Sequence, residues 1–156
     1  MDDDFHKALQ YAFLLLRYRD RSEKELLQRL GRKGFSEETS GKVLSYLKGK
    51  GYIDDVRFAQ SLKRTAMEQR QFGKRGVINY LISKGIPSEI IDSLSGDDDD
   101  YIGTAVSLAE RKMKHMKGLD EATMKRRLWG ALARKGFSPD IIRRVMKLHI
   151  GEETEI

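Results

Sequence analysis

An all-α fold of three tandem three-helix repeats, each about 51 residues long and stacked into an elongated, curved array, is what this sequence predicts. Lys-Gly followed by an apolar residue occurs at 33–35, 84–86 and 135–137, at a constant interval of 51 residues. Before each Lys-Gly the same apolar pattern returns: Leu26, Leu27 and Leu30, then Val77, Ile78 and Leu81, then Leu128, Trp129 and Leu132. Positions i, i+1 and i+4 share one helix face, so each copy predicts the same buried stripe, Trp129 included. No segment reads as a strand.

The lead helix of each repeat is announced by acidic residues ahead of an apolar periodic run, at Asp3-Asp4-Phe5, Asp54-Asp55-Val56 and Asp99-Asp100-Tyr101. Asp is favoured there as a cap and as a complement to the helix dipole. The stripes that follow are Phe5, Ala8, Leu9, Ala12, Phe13 and Leu16, then Phe58, Ala59, Leu62 and Ala66, then Ala105, Leu108 and Ala109. The middle helix carries the repeated pattern, and Ser22 with Glu25 predicts a capping box at the first of them. Its end is the repeated phrase itself. The glycine fits a left-handed C′ position, and the next residue, Phe35, Ile86 or Phe137, should fold back onto Leu30, Leu81 or Leu132 in a Schellman motif. A third helix starts at once, capped by Ser36 or Ser138, with Pro139 at a first helical position and Pro87 in the equivalent serine slot. From the last Asp to the Lys-Gly glycine the third copy is longer, around KMKHMKGLDEAT, while the helix Ser88 to Leu94 before it is short. The predicted repeats are residues 1–53, 54–96 and 97–150, with 151–156 a disordered tail.

Apolar residues make up 39% of the chain, enough for a core. Charged residues reach 35%, with 30 Lys and Arg against 24 Asp and Glu, for a net charge of +6. With a pI near 9.5, that balance favours an acidic partner: a nucleic acid, an acidic protein surface or an anionic membrane. Cysteine is absent, which excludes disulfides, thiolate metal sites and cysteine nucleophiles. The N-terminal stretch lacks a signal peptide's basic lead-in and cleavage site, and no apolar run approaches the roughly 20 residues that span a bilayer. A soluble, cytoplasmic protein is expected.

No catalytic site can be assembled. His6, His115 and His149 are scattered and expected at the surface, and no phosphate-binding glycine motif occurs. The acidic run 97–100 lacks the spaced ligands of a calcium loop and reads as helix capping. No metal and no cofactor is expected. Basic residues dominate instead, above all between 111 and 147, where twelve Lys and Arg face only Asp120, Glu121 and Asp140. Lys33, Lys84 and Lys135 are equivalent positions and should recur along one face, although lysine at a helix C-terminus also answers the dipole.

The lead segment AL-x-YA-x-x-LL (Ala8 to Leu15) with RYRDRSEKELLQRLGRKGF (Arg17 to Phe35) resembles the opening of RecX, the family of bacterial regulators of the RecA recombinase. GYIDDVRFAQSL (Gly51 to Leu62) resembles its hallmark segment, GKRGVINYLISKGI (Gly73 to Ile86) its basic segment and following turn, and LARKGFS (Leu132 to Ser138) part of its third unit. The resemblance spans Phe5 to Leu148. It implies an all-helical, non-enzymatic monomer acting in DNA repair, homologous recombination and the SOS response. Such a protein inhibits RecA by lodging in the groove of its filament on single-stranded DNA, suppressing ATP hydrolysis, strand exchange and co-protease activity. It implies weak direct DNA binding and no membrane. The family's basic positions fall on Arg19, Arg21, Lys33, Arg70, Arg75 and Lys84, and more loosely on Arg126, Arg127, Arg134, Lys135, Arg143 and Arg144. Lys74, a further binding candidate of this chain, departs from the family pattern, standing where a proline or another small residue is expected. Asp54, Asp55 and Phe58 belong to the hallmark, read as a helix cap and a core residue. A direct nucleic-acid-binding protein with a distributed basic face is the alternative.

Overall fold

In the computed structural model, which describes residues 2–150, the chain folds into nine α-helices and one 3-10 turn, with no strand among the described residues. The helices are α1 (Asp2–Tyr18), α2 (Glu23–Lys33), α3 (Glu37–Gly49), α4 (Asp55–Glu68), α5 (Lys74–Ser83), α6 (Ser88–Leu94), α7 (Ile102–Met113), α8 (Glu121–Arg134) and α9 (Pro139–Ile150). The tail 151–156 lies outside the described residues. Two compact units are present among the described residues: 2–61 with 81–91, and 62–80 with 92–150. The middle repeat is therefore shared, and the boundaries run through α4, α5 and α6.

In the first unit α1, α2 and α3 pack on one another around Ala8, Ala12, Leu15, Leu26, Leu30, Val43, Leu44, Leu47 and Ile53. In the second, α7, α8 and α9 do the same around Ala105, Leu108, Ala109, Leu128, Leu132, Ile141, Ile142 and Val145. Small Ala residues on the lead helices let neighbouring helices approach closely, and branched residues on the others fill the space between.

All three helix stops have the geometry that the repeated phrase requires. Gly34, Gly85 and Gly136 have φ of 107°, 83° and 92°, a region that costs a residue with a side chain roughly 1–2 kcal/mol. Phe35, Ile86 and Phe137 N–H groups donate to Leu30, Leu81 and Leu132 O at 3.1–3.2 Å, and the glycine N–H groups to Gly31, Ile82 and Ala133 O at 3.0 Å. A fourth stop follows α3, where Gly51 (φ 77°) and Tyr52 donate to Lys48 and Leu47 O. Ser36 Oγ caps α3 through Thr39 N–H at 3.1 Å, Ser138 Oγ caps α9 through Ile141 N–H at 3.2 Å, and Pro139 is the first residue of α9. Pro87 stands before α6, its carbonyl accepting from Ile90 and Ile91.

Four details differ from the sequence expectation. Leu27 is 43% exposed and Trp129 37% exposed, so in the first and third copies the buried stripe is i and i+4 only, while Ile78 of the second is half-buried. The middle position points to the helix flank, where Arg143 lies 6.0 Å over the Trp129 ring. Ser22 Oγ does cap Glu25 N–H at 3.1 Å, but the Glu25 carboxylate turns to Arg19 and Arg21 instead of closing the box. At the N-terminus α1 already starts at Asp2, so Asp3 and Asp4 complement the dipole from within the first turn. The acidic run forms its own 3-10 turn, Asp98–Tyr101, with Asp97 N–H donating to Asp100 Oδ2 at 2.9 Å. Tyr101 is fully buried there, its hydroxyl donating to Ser95 O, and burial with the Asp100 and Asp98 charges pushes its phenol up to about 12.

The extra length of the third copy lies in the turn after α7 and in α8, which runs 14 residues against 10 in α5.

Candidate partner-binding surface

The hallmark acids act as helix caps. Asp54 Oδ1 accepts from Val56 and Arg57 N–H at 3.0 and 3.1 Å, capping its own α4. Asp55, 6% exposed, reaches across the sequence and accepts Glu23 N–H at 3.0 Å, capping α2. Burial, aided by the Glu23 charge, holds the Asp55 carboxyl above its usual range despite that N–H. Phe58 is half-buried.

The basic positions divide by what surrounds them. Arg21 is 7% exposed, with Nε donating to Leu15 O at 3.2 Å and a guanidinium ion pair to Glu25. It ties the end of α1 to the start of α2 and has almost no surface left to offer. Arg19 shares the same carboxylate at 2.7 Å. Burial works to raise Glu25, but the hydrogen bonds and charges of Arg19 and Arg21 hold it below the usual range. Lys33 lies 5.2 Å over the Tyr11 ring on the rim of an open groove of about 580 Å³, lined by Lys7, Tyr11, Phe13, Leu14, Arg17 and Phe35. Lys84 sits half-buried in the second stop.

The second unit gathers more. Lys135 Nζ donates to Arg70 O at 3.0 Å and lies 5.2 Å over Phe72, while Arg70 stands 5.1 Å over Tyr80. Partial burial and then the charges of Arg111, Lys112 and Arg70 hold the Lys135 ammonium below the usual lysine range. Beside it, Lys112, Arg126, Arg127 and Arg134 line a cleft of about 380 Å³ with Met116, Gly130 and Ala131, and no carboxylate lines it. Among the described residues none of these four makes a carboxylate ion pair. Arg143 and Arg144 are exposed but paired, with Asp140 at 3.0 Å and Asp99 at 2.6 Å. Lys74 and Arg75 open α5, and the Arg75 backbone N–H donates to Gly136 O at 3.2 Å.

The structure thus brings Arg70 to Lys135 and Arg126 and Arg127 to Arg134, and sets Arg21 apart as structural. Lys112 and Arg111 complete the cluster; their place within the densest basic stretch was the available signal, without a repeat equivalence to single them out. A cluster of exposed and half-buried cations, with aromatic rings beside Arg70 and Lys135, can hold anions. No group of ligating residues that could hold a metal occurs among the described residues, and none of their helices is long and apolar enough to cross a membrane.

Fold and surface together define a tandem three-helix-repeat protein with a cationic cluster on its surface. Family models for the first, second and third three-helix domains of RecX match residues 8–47, 54–93 and 98–146. The chain is 31% identical over 153 residues to the regulatory protein RecX of Amycolatopsis mediterranei, covering 97% of this chain and 87% of that one. It is 35% identical over 144 residues to the regulatory protein RecX of Chlorobium limicola, covering 91% and 89%. The crystal structure of RecX from Lactobacillus salivarius superposes with a TM-score of 0.84 at 25% identity, covering 95% and 97%. The chain belongs to the RecX family.

Proposed function

We propose that this protein regulates a RecA recombinase, mainly by inhibition, by binding the groove of the RecA filament on single-stranded DNA. Bound there it suppresses ATP hydrolysis, strand exchange and co-protease activity. It acts as a cytoplasmic monomer without enzymatic activity or cofactor, and binds bare DNA weakly. The family membership and the regulatory role carried by the relatives' name support the recombinase as target. The observation that carries the reading in this chain is the concentration of unpaired cations around Lys112, Arg126, Arg127 and Arg134. Such a surface suits an extended polyanion or a protein wound on one, where phosphate neutralisation supplies affinity.

The test is co-sedimentation with RecA filaments assembled on single-stranded DNA. The protein is expected to pellet with filaments, and R126E/R127E/R134E to pellet several-fold less at unchanged helicity. Equal pelleting of the variant would remove the cluster from the interface. A second reading, direct nucleic-acid binding by a distributed basic face, draws on the same cleft and predicts equal binding to DNA without RecA.

A further inference from the structure

We infer that the helix stop of the first repeat, Lys33-Gly34-Phe35, is a docking site for the start of a partner's helix, one capped by Ser or Gly and carrying carboxylates in its first turn. Within the chain, the other two stops each lie against the start of a helix, α5 at the third and α2 at the second. At the third stop, Gly73 N–H donates to Lys135 O at 2.8 Å and Arg75 N–H to Gly136 O at 3.2 Å. Gly73 has no side chain with which to cap α5, so the carbonyls at the end of α8 satisfy N–H groups that a helix start leaves orphaned. The approach is backbone to backbone: a Cβ on Gly136 would lie 2.2 Å from Gly76 N, and one on Gly76 2.4 Å from Lys135 O. At the second stop, a Cβ on Gly85 would lie 2.5 Å from Ser22 Oγ and 3.5 Å from Lys24 Cβ, so this turn sits on the capped start of α2.

The first stop has the same left-handed glycine, φ 107°, and the same pair of closing hydrogen bonds, yet a Cβ on Gly34 would meet nothing within 4 Å. Its turn geometry is that of the third stop with the outer face open, as is the Gly51 stop after α3; what distinguishes it is the groove beside it. The negative end of α2 favours the positive start of another helix. The adjoining groove sharpens the chemistry. Its apolar floor of Tyr11, Leu14 and Phe35 is rimmed by Lys7, Arg17 and Lys33, and among the described residues only Lys7 of these cations has a carboxylate, Asp3 at 3.8 Å. A first turn bearing Glu or Asp complements that rim. The start of α8 in a second copy fits less well, because its cap is Asp120, already bonded to Thr123, on a helix four residues longer than α5. This inference stands independently of the recombinase reading.

The test titrates the isotope-labelled full chain with a peptide copying residues 20–31, DRSEKELLQRLG, whose serine and glutamates reproduce the α2 start. Saturable amide shifts confined to Tyr11, Leu14 and Lys33 to Phe35 are expected. They should be lost in K33E/R17E, whose helicity is retained, and be about tenfold weaker for the peptide with S22V, the scale of one helix cap. Shifts spread elsewhere, equal binding by the S22V peptide, or no saturation by about 1 mM would overturn the proposal. So would concentration-dependent self-association that perturbs the same turn, which would make a second copy the occupant.

Discussion

Gly34 and Gly136 share a backbone conformation but not a neighbourhood, and that difference can be measured. Both pay the left-handed penalty if a side chain is added, roughly 1–2 kcal/mol. Only Gly136 also has backbone atoms where a Cβ would go. G34A should therefore lower the melting temperature by a few degrees, about 2–4 °C per kcal/mol for a chain of this size, and G136A by clearly more. Equal losses would show that the close approach at Gly136 contributes nothing beyond φ. Arg21 teaches a related point. In sequence it is one cation in a run of them, and only its spacing to Glu25 hinted at a partner. What removes it from the surface is burial against the α1 carbonyl of Leu15, which no local pattern encodes.

Helix ends were the most legible elements, because their determinants are local. A glycine with φ above zero, an apolar C″ residue and a serine two residues past the glycine specify stop and restart within a few positions. Where each stop docks was not legible, since it depends on which helix start the tertiary fold presents. The flank position of Leu27 and Trp129 was misread for a similar reason: i and i+1 lie about 100° apart on a helix, and packing decides which of them faces inward. The α1–α2 junction gives an element-scale prediction. Glu25 is depressed by its arginines, so its contribution is present above the unfolded carboxylate value, near 4.5, and is lost as pH falls through the lower folded value. E25Q leaves the buried Arg21 short of a partner and should cost roughly 1–3 kcal/mol at neutral pH. The gap to the parent chain should narrow in acid, read by chemical denaturation across pH. A gap independent of pH would mean that the loss is packing and not charge.

For the whole molecule, net charge is the coarse signal and its distribution the fine one. A charge of +6 could be spread evenly. Instead, each unit commits some cations to ion pairs, Arg19, Arg21, Lys42 and Lys48 in the first and Lys125, Arg143 and Arg144 in the second, while Lys112, Arg126, Arg127 and Arg134 gather on one cleft with no carboxylate pair among the described residues. Composition announced a basic face, but pairing is a property of the folded surface. Binding to bare single-stranded DNA should accordingly weaken steeply with salt, with a log–log slope near −0.7 per phosphate neutralised. R126E/R127E should flatten that slope, and an unchanged slope would place the DNA contact elsewhere. The central claim is a partner-specific regulator, and it is tested most directly by ATP hydrolysis of RecA filaments on single-stranded DNA titrated with this protein, with binding to the same DNA without RecA followed in parallel. The account predicts suppression well below the protein concentration that occupies bare DNA. No suppression, or suppression only where bare DNA is itself coated, would contradict it.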